Sequence, residues 1–159
     1  MHRLTCRALI VALGATVAVA ASSASALATP AQSATADVTS GPFNIRFSAQ
    51  RPANSPPGAA TGDFTAHTAL GTVSLFTLHG PITCLDVRGN RLGLFYPITS
   101  STPSLFSMLN GGVFIYLQLD AAGKPQFVGF LPVPFQRTGS CAPGPALLPV
   151  TSGTAQFSS

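Results

Sequence analysis

Acid–base or hydrolytic chemistry in this chain would depend on two histidines, His67 and His79, together with an aspartate. The candidate partners are Asp63, Asp86 and Asp120, because the 159 residues include no glutamate. His67 and Asp63 are two pleats apart on one face of a predicted strand, which is a poor spacing for an orienting hydrogen bond. We therefore expect both histidines to face solvent. A hydrolase that uses His67 or His79 is the alternative.

The other two aspartates have simpler interpretations. Asp86 lies opposite Gly93 in a predicted hairpin whose outward residues include Arg88 and Arg91, and the pattern indicates an exposed ion pair. Asp120 opens a turn, where an aspartate commonly accepts hydrogen bonds from backbone N–H groups. A calcium site would need several closely spaced oxygen ligands, and Asp120 with Lys124 nearby does not provide them.

The cysteines point to a disulfide. Cys6 lies in the N-terminal leader, so that its removal leaves Cys84 and Cys141. Two cysteines in an exported protein most simply form one disulfide, and the chain-entropy model assigns such a loop roughly 4 kcal/mol. The alternative is a metal site formed by both cysteines with His67 and His79, but the chain has no C-x-x-C pair.

Composition excludes several function classes. Charged residues make up 8% of the chain and the net charge is +4, with the basic residues scattered rather than clustered. Nucleic-acid binding is therefore not expected, because it requires a basic face. The chain also lacks the G-x-S-x-G nucleophile elbow and the glycine-rich phosphate loops. We expect no cofactor and no metal.

Residues 1–28 have the pattern of a secretory signal peptide. Arg3 and Arg7 precede an apolar run at 9–21, and two small-x-small sites follow at 24–26 and 26–28. We predict cleavage after Ala28. The small-x-small triplet at 34–36 is a later alternative, and an uncleaved membrane anchor is the competing interpretation of the leader.

The remaining chain is expected to form one domain. Residues 29–41 show no clear periodicity and are predicted to be a flexible N-terminal lead-in, followed by a β domain at 42–159. No apolar run in the mature chain is long enough to span a membrane. We expect a secreted, extracellular protein, with association with the cell envelope as a further expectation.

Alternation of apolar and polar residues is the dominant pattern after position 42. It predicts strands at 43–49, 62–69, 73–78, 112–119, 126–133 and 150–158, together with a hairpin around Gly89-Asn90. A two-residue turn at this Gly-Asn pair places Val87 opposite Leu92 and Leu85 opposite Leu94. No segment beyond the leader has a helical period.

Short strands separated by frequent turns predict an all-β fold. We expect a single antiparallel domain of about eight strands. The succession of hairpins favours an up-and-down barrel over a sandwich. In a barrel, the strand at 113–119 would line the interior, which could be filled by side chains or hold one small apolar ligand.

Three segments resemble small secreted actinobacterial β-proteins of uncharacterised function. Residues 82–90 are similar to their V-T-C-L-x-V-x-G-N segment, and residues 120–125 to their D-x-G-x-P turn. Cys141 with the T-S-G at 151–153 resembles their terminal strand. The resemblance covers residues 43–157.

This resemblance implies export, a compact β domain and a bond between Cys84 and Cys141. The chain departs from the pattern at Ala121-Ala122, where polar residues are more usual. The departure argues against a functional site in that turn.

Together these patterns predict a secreted, non-catalytic β domain that acts as a binding or structural module. One alternative is a β-barrel carrier of a small apolar ligand. The other is the hydrolase based on His67 or His79. The residues do not identify a partner protein.

Overall fold

The fold of the chain is described by a computed structural model for residues 28–70, 73–104 and 110–159. The predicted signal peptide, 1–28, lies outside these residues except for its last position. The described ranges contain strands, turns and one short 3-10 helix, Pro57–Ala59. All strand pairs are antiparallel, so the prediction of an antiparallel all-β fold is confirmed.

Eleven strands lie within these ranges, where about eight were expected. Numbered in chain order, they are β1 Gln32–Ser40, β2 Phe43–Arg51, β3 Thr61–Leu70, β4 Val73–Pro81, β5 Cys84–Arg88, β6 Arg91–Pro97, β7 Ser100–Thr102, β8 Gly112–Leu119, β9 Pro125–Val133, β10 Leu148–Pro149 and β11 Ser152–Ser158. Three account for the difference: β7 and β10 are only three and two residues long, and β1 lies in the expected lead-in.

The strands form two separate sheets. The first has six strands in the order β11-β1-β2-β3-β4-β7, and the second has five in the order β10-β9-β8-β6-β5. The chain forms β1–β4 of the first sheet, crosses to the second for β5 and β6, and returns to the first for β7. It then forms β8–β10 of the second sheet before β11 pairs along β1. One edge of the first sheet is therefore formed by β11, which pairs with a strand from the opposite end of the described chain.

The expected lead-in is wrong for the part that forms β1. This strand lies between β2 and β11 and buries every second residue, including Ala34, Ala36 and Val38. Two of its inward side chains are alanines, and Ala36 is paired with the buried Phe47 of β2. The alternation is thus present but involves alanine, which gives a weak hydropathy signal.

The predicted hairpin has the expected register. Val87 pairs with Leu92 and Leu85 with Leu94, and all four side chains are buried. Gly89 has a φ of 59°, a left-handed conformation that glycine adopts without steric cost. The two-residue turn therefore determines which face of β5 and β6 enters the core.

Inward side chains of both sheets form one core. The rings of Phe64, on β3, and Tyr96, on β6, stack with centroids 3.9 Å apart. Ile45 and Phe47 from the first sheet belong to the same buried cluster as Ile115 from the second. Complete burial of such a side chain stabilises the fold by roughly 1.5–3 kcal/mol, so this shared core holds the two sheets together.

Candidate functional site

A disulfide lies on the outer face of the five-stranded sheet. Cys84 and Cys141 are bonded, with Cα atoms 6.0 Å apart, which confirms the predicted pair. Both are buried in a small second cluster with Phe95, and Phe114 packs against it. The bond attaches the segment 134–147, which we call the strap, to the outside of the sheet.

Two glycines allow the strap to lie close to the sheet. Gly93 and Gly129 are the direct neighbours of Tyr116 on the two adjacent strands. A Cβ atom on Gly93 would overlap the carbonyl oxygen of Cys141, and one on Gly129 would overlap that of Pro145. The backbone of the strap therefore occupies the space that side chains would fill at these two positions.

Side chains of the sheet also hold the strap. Arg91 donates a hydrogen bond of 2.7 Å from Nη2 to the carbonyl oxygen of Gly144. Phe135 packs beside Phe95 and Phe114, with ring centroids 6.0 and 6.3 Å away. The strap is therefore fixed near its start, at its disulfide and near its end.

The strap, β9 and β10 leave large apolar side chains in contact with solvent. The exposed fractions are 77% for Leu147, 48% for Leu131, 43% for Phe135 and 41% for Leu148. We call these four residues the strap surface. Leu131, Leu147 and Leu148 line a groove of about 320 Å³ together with Tyr116.

The two histidines lie on the outer face of the six-stranded sheet. His67 is paired with Thr77, and its Nδ1 lies 3.1 Å from the threonine hydroxyl. His79 is paired with Thr65, with a corresponding distance of 3.3 Å. Both imidazoles thus have cross-strand threonines as their hydrogen-bond partners. The two histidines and the two threonines belong to a polar row of side chains that faces solvent.

Of the aspartates considered in the sequence analysis, Asp86 forms an ion pair and Asp120 organises a turn. Asp86 accepts hydrogen bonds of 3.1 and 2.8 Å from Arg88, and this carboxylate raises the pKa of the arginine. The Asp86 side chain is largely buried, where exposure was expected. Asp120 accepts hydrogen bonds from the backbone N–H groups of Ala122 and Lys124, as predicted for a turn aspartate.

The two faces of β8 have different surroundings. Val113, Ile115 and Leu117 are buried in the core that both sheets share. Phe114 and Tyr116 point outward beneath the strap, and both are partly exposed. The apolar side chains on one face of β8 therefore pack in the core, and those on the other face lie beneath the strap.

A third feature lies at the end of the core. Gln32 and Arg51, paired across β1 and β2, are both buried and reach the edge strand β5. The Gln32 side chain bonds the N–H and carbonyl of Val87, and Arg51 donates to the carbonyl of Leu85. The sequence does not predict the burial of either residue, because a polar residue at an alternating position gives no signal of burial.

Within residues 28–70, 73–104 and 110–159, no group of three or more metal-ligating side chains is found, and no helix is long and apolar enough to cross a membrane. Comparisons of the chain found no match among protein-family models, curated proteins or solved structures. The candidate sites are therefore defined by geometry alone.

Proposed function

We propose that the chain is an exported, non-catalytic β domain that binds a partner protein through the strap surface. The observation that carries this proposal is the exposure of four large apolar side chains on one side of the molecule. Exposed apolar groups next to one another commonly mark an interaction surface, because each loses contact with water on binding.

The six-stranded sheet exposes two large apolar side chains, Val73 and Leu75 near the start of β4, but most of its outward side chains are polar. The outward rows of β1, β2 and β3 contain serine, threonine, asparagine and charged residues, including the pair of Asp37 and Arg46. Such a face interacts favourably with water. The strap surface has leucine and phenylalanine instead, and an aromatic side chain such as Phe135 is characteristic of the centre of protein interfaces.

The form of the partner is suggested by the edge of the second sheet. In the described part of the chain, β10 pairs only with Phe127 and Val128 of β9. Residues 129–133 of β9 have β8 on one side, and on the other side no strand from the described ranges pairs with them. An extended peptide segment could pair with this edge through its backbone and place an apolar side chain in the groove beside Leu131.

We make two further proposals, one on the fold and one on export. We place the two-layer fold with the β-sandwiches rather than with the up-and-down barrel that the hairpins favoured. We also propose export through cleavage of 1–28, which the disulfide supports because such bonds persist in oxidising compartments. The resemblance to small secreted actinobacterial β-proteins is consistent with both.

A selection from a library of short random peptides tests the binding proposal. The immobilised probe is the disulfide-bonded protein beginning at Thr29. We expect enriched peptides with alternating apolar residues that bind the parent protein and lose binding to Leu131→Asp. The matched control, Gln156→Asp, adds the same charge to the outer face of β11 opposite Thr35 and should retain binding.

Failure to enrich any peptide, or equal binding to the parent and Leu131→Asp, would contradict a peptide-binding edge. The groove beside Leu131 also suits a small apolar ligand, which is the second candidate function. Binding of an anilinonaphthalene dye that depends on Leu131, without peptide enrichment, would favour this ligand carrier over the peptide-binding module.

A further inference from the structure

The two histidines of the β domain lie on one face of two neighbouring strands. His67 of β3 is paired with Thr77 of β4, and Thr65 of β3 is paired with His79 of β4. His67 and His79 are therefore diagonal neighbours across the two strands. Diagonal neighbours on one face of an antiparallel pair are roughly 7–8 Å apart, which is within reach of long or aromatic side chains.

Both imidazoles lie over the boundary between β3 and β4. The Nδ1 atom of His67 is 3.1 Å from the hydroxyl oxygen of Thr77 on the neighbouring strand. The Nδ1 atom of His79 is 3.3 Å from the hydroxyl oxygen of Thr65, across the same boundary in the opposite direction. When such a hydroxyl accepts a hydrogen bond from Nδ1–H, the Nε2 atom has a free lone pair. Metal-bound histidines usually have this arrangement, with the second ring nitrogen held by a hydrogen bond.

The immediate neighbours of the two histidines are uncharged. His79 is exposed and His67 is half-buried, so an ion from solvent has access to both rings. Asn44 of β2 is paired with His67, and Ser100 of β7 is paired with His79. Neither neighbour repels a cation.

The charged side chains that flank Thr65 on this face have a net negative charge. Arg46 of β2 is paired with Thr65 in the sheet, and its guanidinium forms an ion pair with Asp37. Asp63 lies two residues before Thr65 and therefore on the same face. One positive and two negative charges give a sum of −1, which favours a cation beside the histidines.

We propose that His67 and His79 together bind one copper(II) ion on the outer face of the six-stranded sheet. Imidazole nitrogen is a favoured ligand of copper, zinc and nickel, and copper(II) forms the most stable complexes of this series. Two side chains are fewer than the three or four protein ligands of a permanently held zinc ion, so water would fill the remaining positions and the copper would exchange with solvent.

This pair is the part of the four-residue metal site considered from the sequence that the fold keeps together. Cys84 and Cys141 are bonded to each other on the outside of the other sheet. The copper site is also separate from the strap surface and does not depend on the function proposed for that surface.

Titration of the disulfide-bonded protein beginning at Thr29 with copper(II) chloride tests the site. This protein lacks His2, so its histidines are His67 and His79 alone. We expect saturable binding of one ion per chain and an electron paramagnetic resonance spectrum with coupling to two imidazole nitrogens. Calcium chloride should not displace the copper, because calcium takes oxygen ligands. Two ions per chain, coupling to one imidazole, or no saturable binding would contradict a shared site.

Variants of the four residues distinguish a shared site from two separate ligands. Thr77→Val removes the hydroxyl that orients His67 and should weaken copper binding about tenfold, whereas Thr77→Ser should bind as the parent does. His67→Ala and His79→Ala should each weaken binding by a larger factor than Thr77→Val. Thr35→Val, at an exposed position of β1 on the same face, is the control and should retain the parent affinity.

Parent-like affinity in either histidine variant would contradict the proposal. Parent-like affinity in Thr77→Val would contradict the orienting role of its hydroxyl. If a variant does not fold, the stoichiometry and the nitrogen coupling of the parent decide.

Discussion

The Gln32 side chain and the Val87 backbone exchange two hydrogen bonds, each 2.9 Å long. The amide of Gln32 donates to the carbonyl oxygen of Val87 and accepts from its N–H group. A side chain of the first sheet thus takes the place of a neighbouring strand on β5, which is the edge of the second sheet. This contact protects an edge whose backbone groups would otherwise be open to another chain.

Replacing Gln32 by leucine should destabilise the protein strongly. The leucine has a similar size but leaves the Val87 N–H and carbonyl groups buried without partners, and each unsatisfied group costs about 1–3 kcal/mol. We expect a loss of about 2–4 kcal/mol in the free energy of unfolding measured with urea. The control, Gln50→Leu at an exposed site, should change it by less than about 0.5 kcal/mol. Equal effects would contradict the role of Gln32.

The close approach of the strap to the sheet predicts a difference between two glycines. Gly93→Ala should displace the strap, because its Cβ atom would overlap the carbonyl oxygen of Cys141. Gly139→Ala lies in the same strap and has no atom within 4 Å of the added carbon. The midpoint temperature of thermal unfolding should be lower for Gly93→Ala than for the parent. For Gly139→Ala it should be almost the same as for the parent. A Gly93→Ala variant as stable as the parent would contradict this packing.

Burial of Tyr96 predicts a loss of stability at alkaline pH. Desolvation raises the pKa of this phenol well above its ordinary value of 10.0. Below the pKa of the phenol in the unfolded chain, the free energy of unfolding keeps its full value. As the pH rises above about 10, only the unfolded chain ionises. The free energy of unfolding therefore falls by up to about 1.4 kcal/mol per pH unit.

Urea unfolding of the parent and Tyr96→Phe across this pH range measures the effect. The variant should lose less stability as the pH rises. Tyr116→Phe is the control, because the pKa of Tyr116 is also raised but the residue is less buried. Parallel pH dependences for the parent and Tyr96→Phe would contradict the assignment to Tyr96.

The position of β1 makes a prediction about processing. Cleavage at the later triplet, after Ala36, would remove Gln32, Ala34 and Ala36 from a strand that pairs on both sides. We therefore expect the exported protein to begin at Thr29. Intact mass spectrometry should give the mass of 29–159, increasing by about 2 Da on reduction as the disulfide opens. A protein that begins at residue 37 and remains folded would contradict this.

Much of the fold can be predicted from the sequence, because large apolar residues that alternate with polar ones share one face only in a β-strand. The hairpin at Gly89 has its register determined by a two-residue turn, and Val87 and Leu92 pair accordingly. β1 is harder to predict, since alanine alternating with serine and threonine resembles a flexible segment in hydropathy. Its burial depends on pairing with Phe47 of the next strand and with β11, which lies near the other end of the chain.

The candidate sites are less predictable than the strands. Leu147 and Leu148 lie in a proline-rich segment without periodicity, and their exposure depends on how the strap crosses the sheet. Gly93 and Gly129 resemble ordinary strand interruptions until Tyr116 is found between them. These features arise from contacts between distant segments, which local patterns do not encode.

Amide chemical shifts of the protein with a peptide from the random selection test the proposed binding surface most directly. We predict that the largest changes occur at residues 129–133 of β9, at 145–147 of the strap and at Leu148 of β10. The amides of the outer face of the six-stranded sheet, including Thr65 and Thr154, should remain unchanged. Largest changes on that polar face, or around Arg51, would contradict the assignment of function to the strap surface.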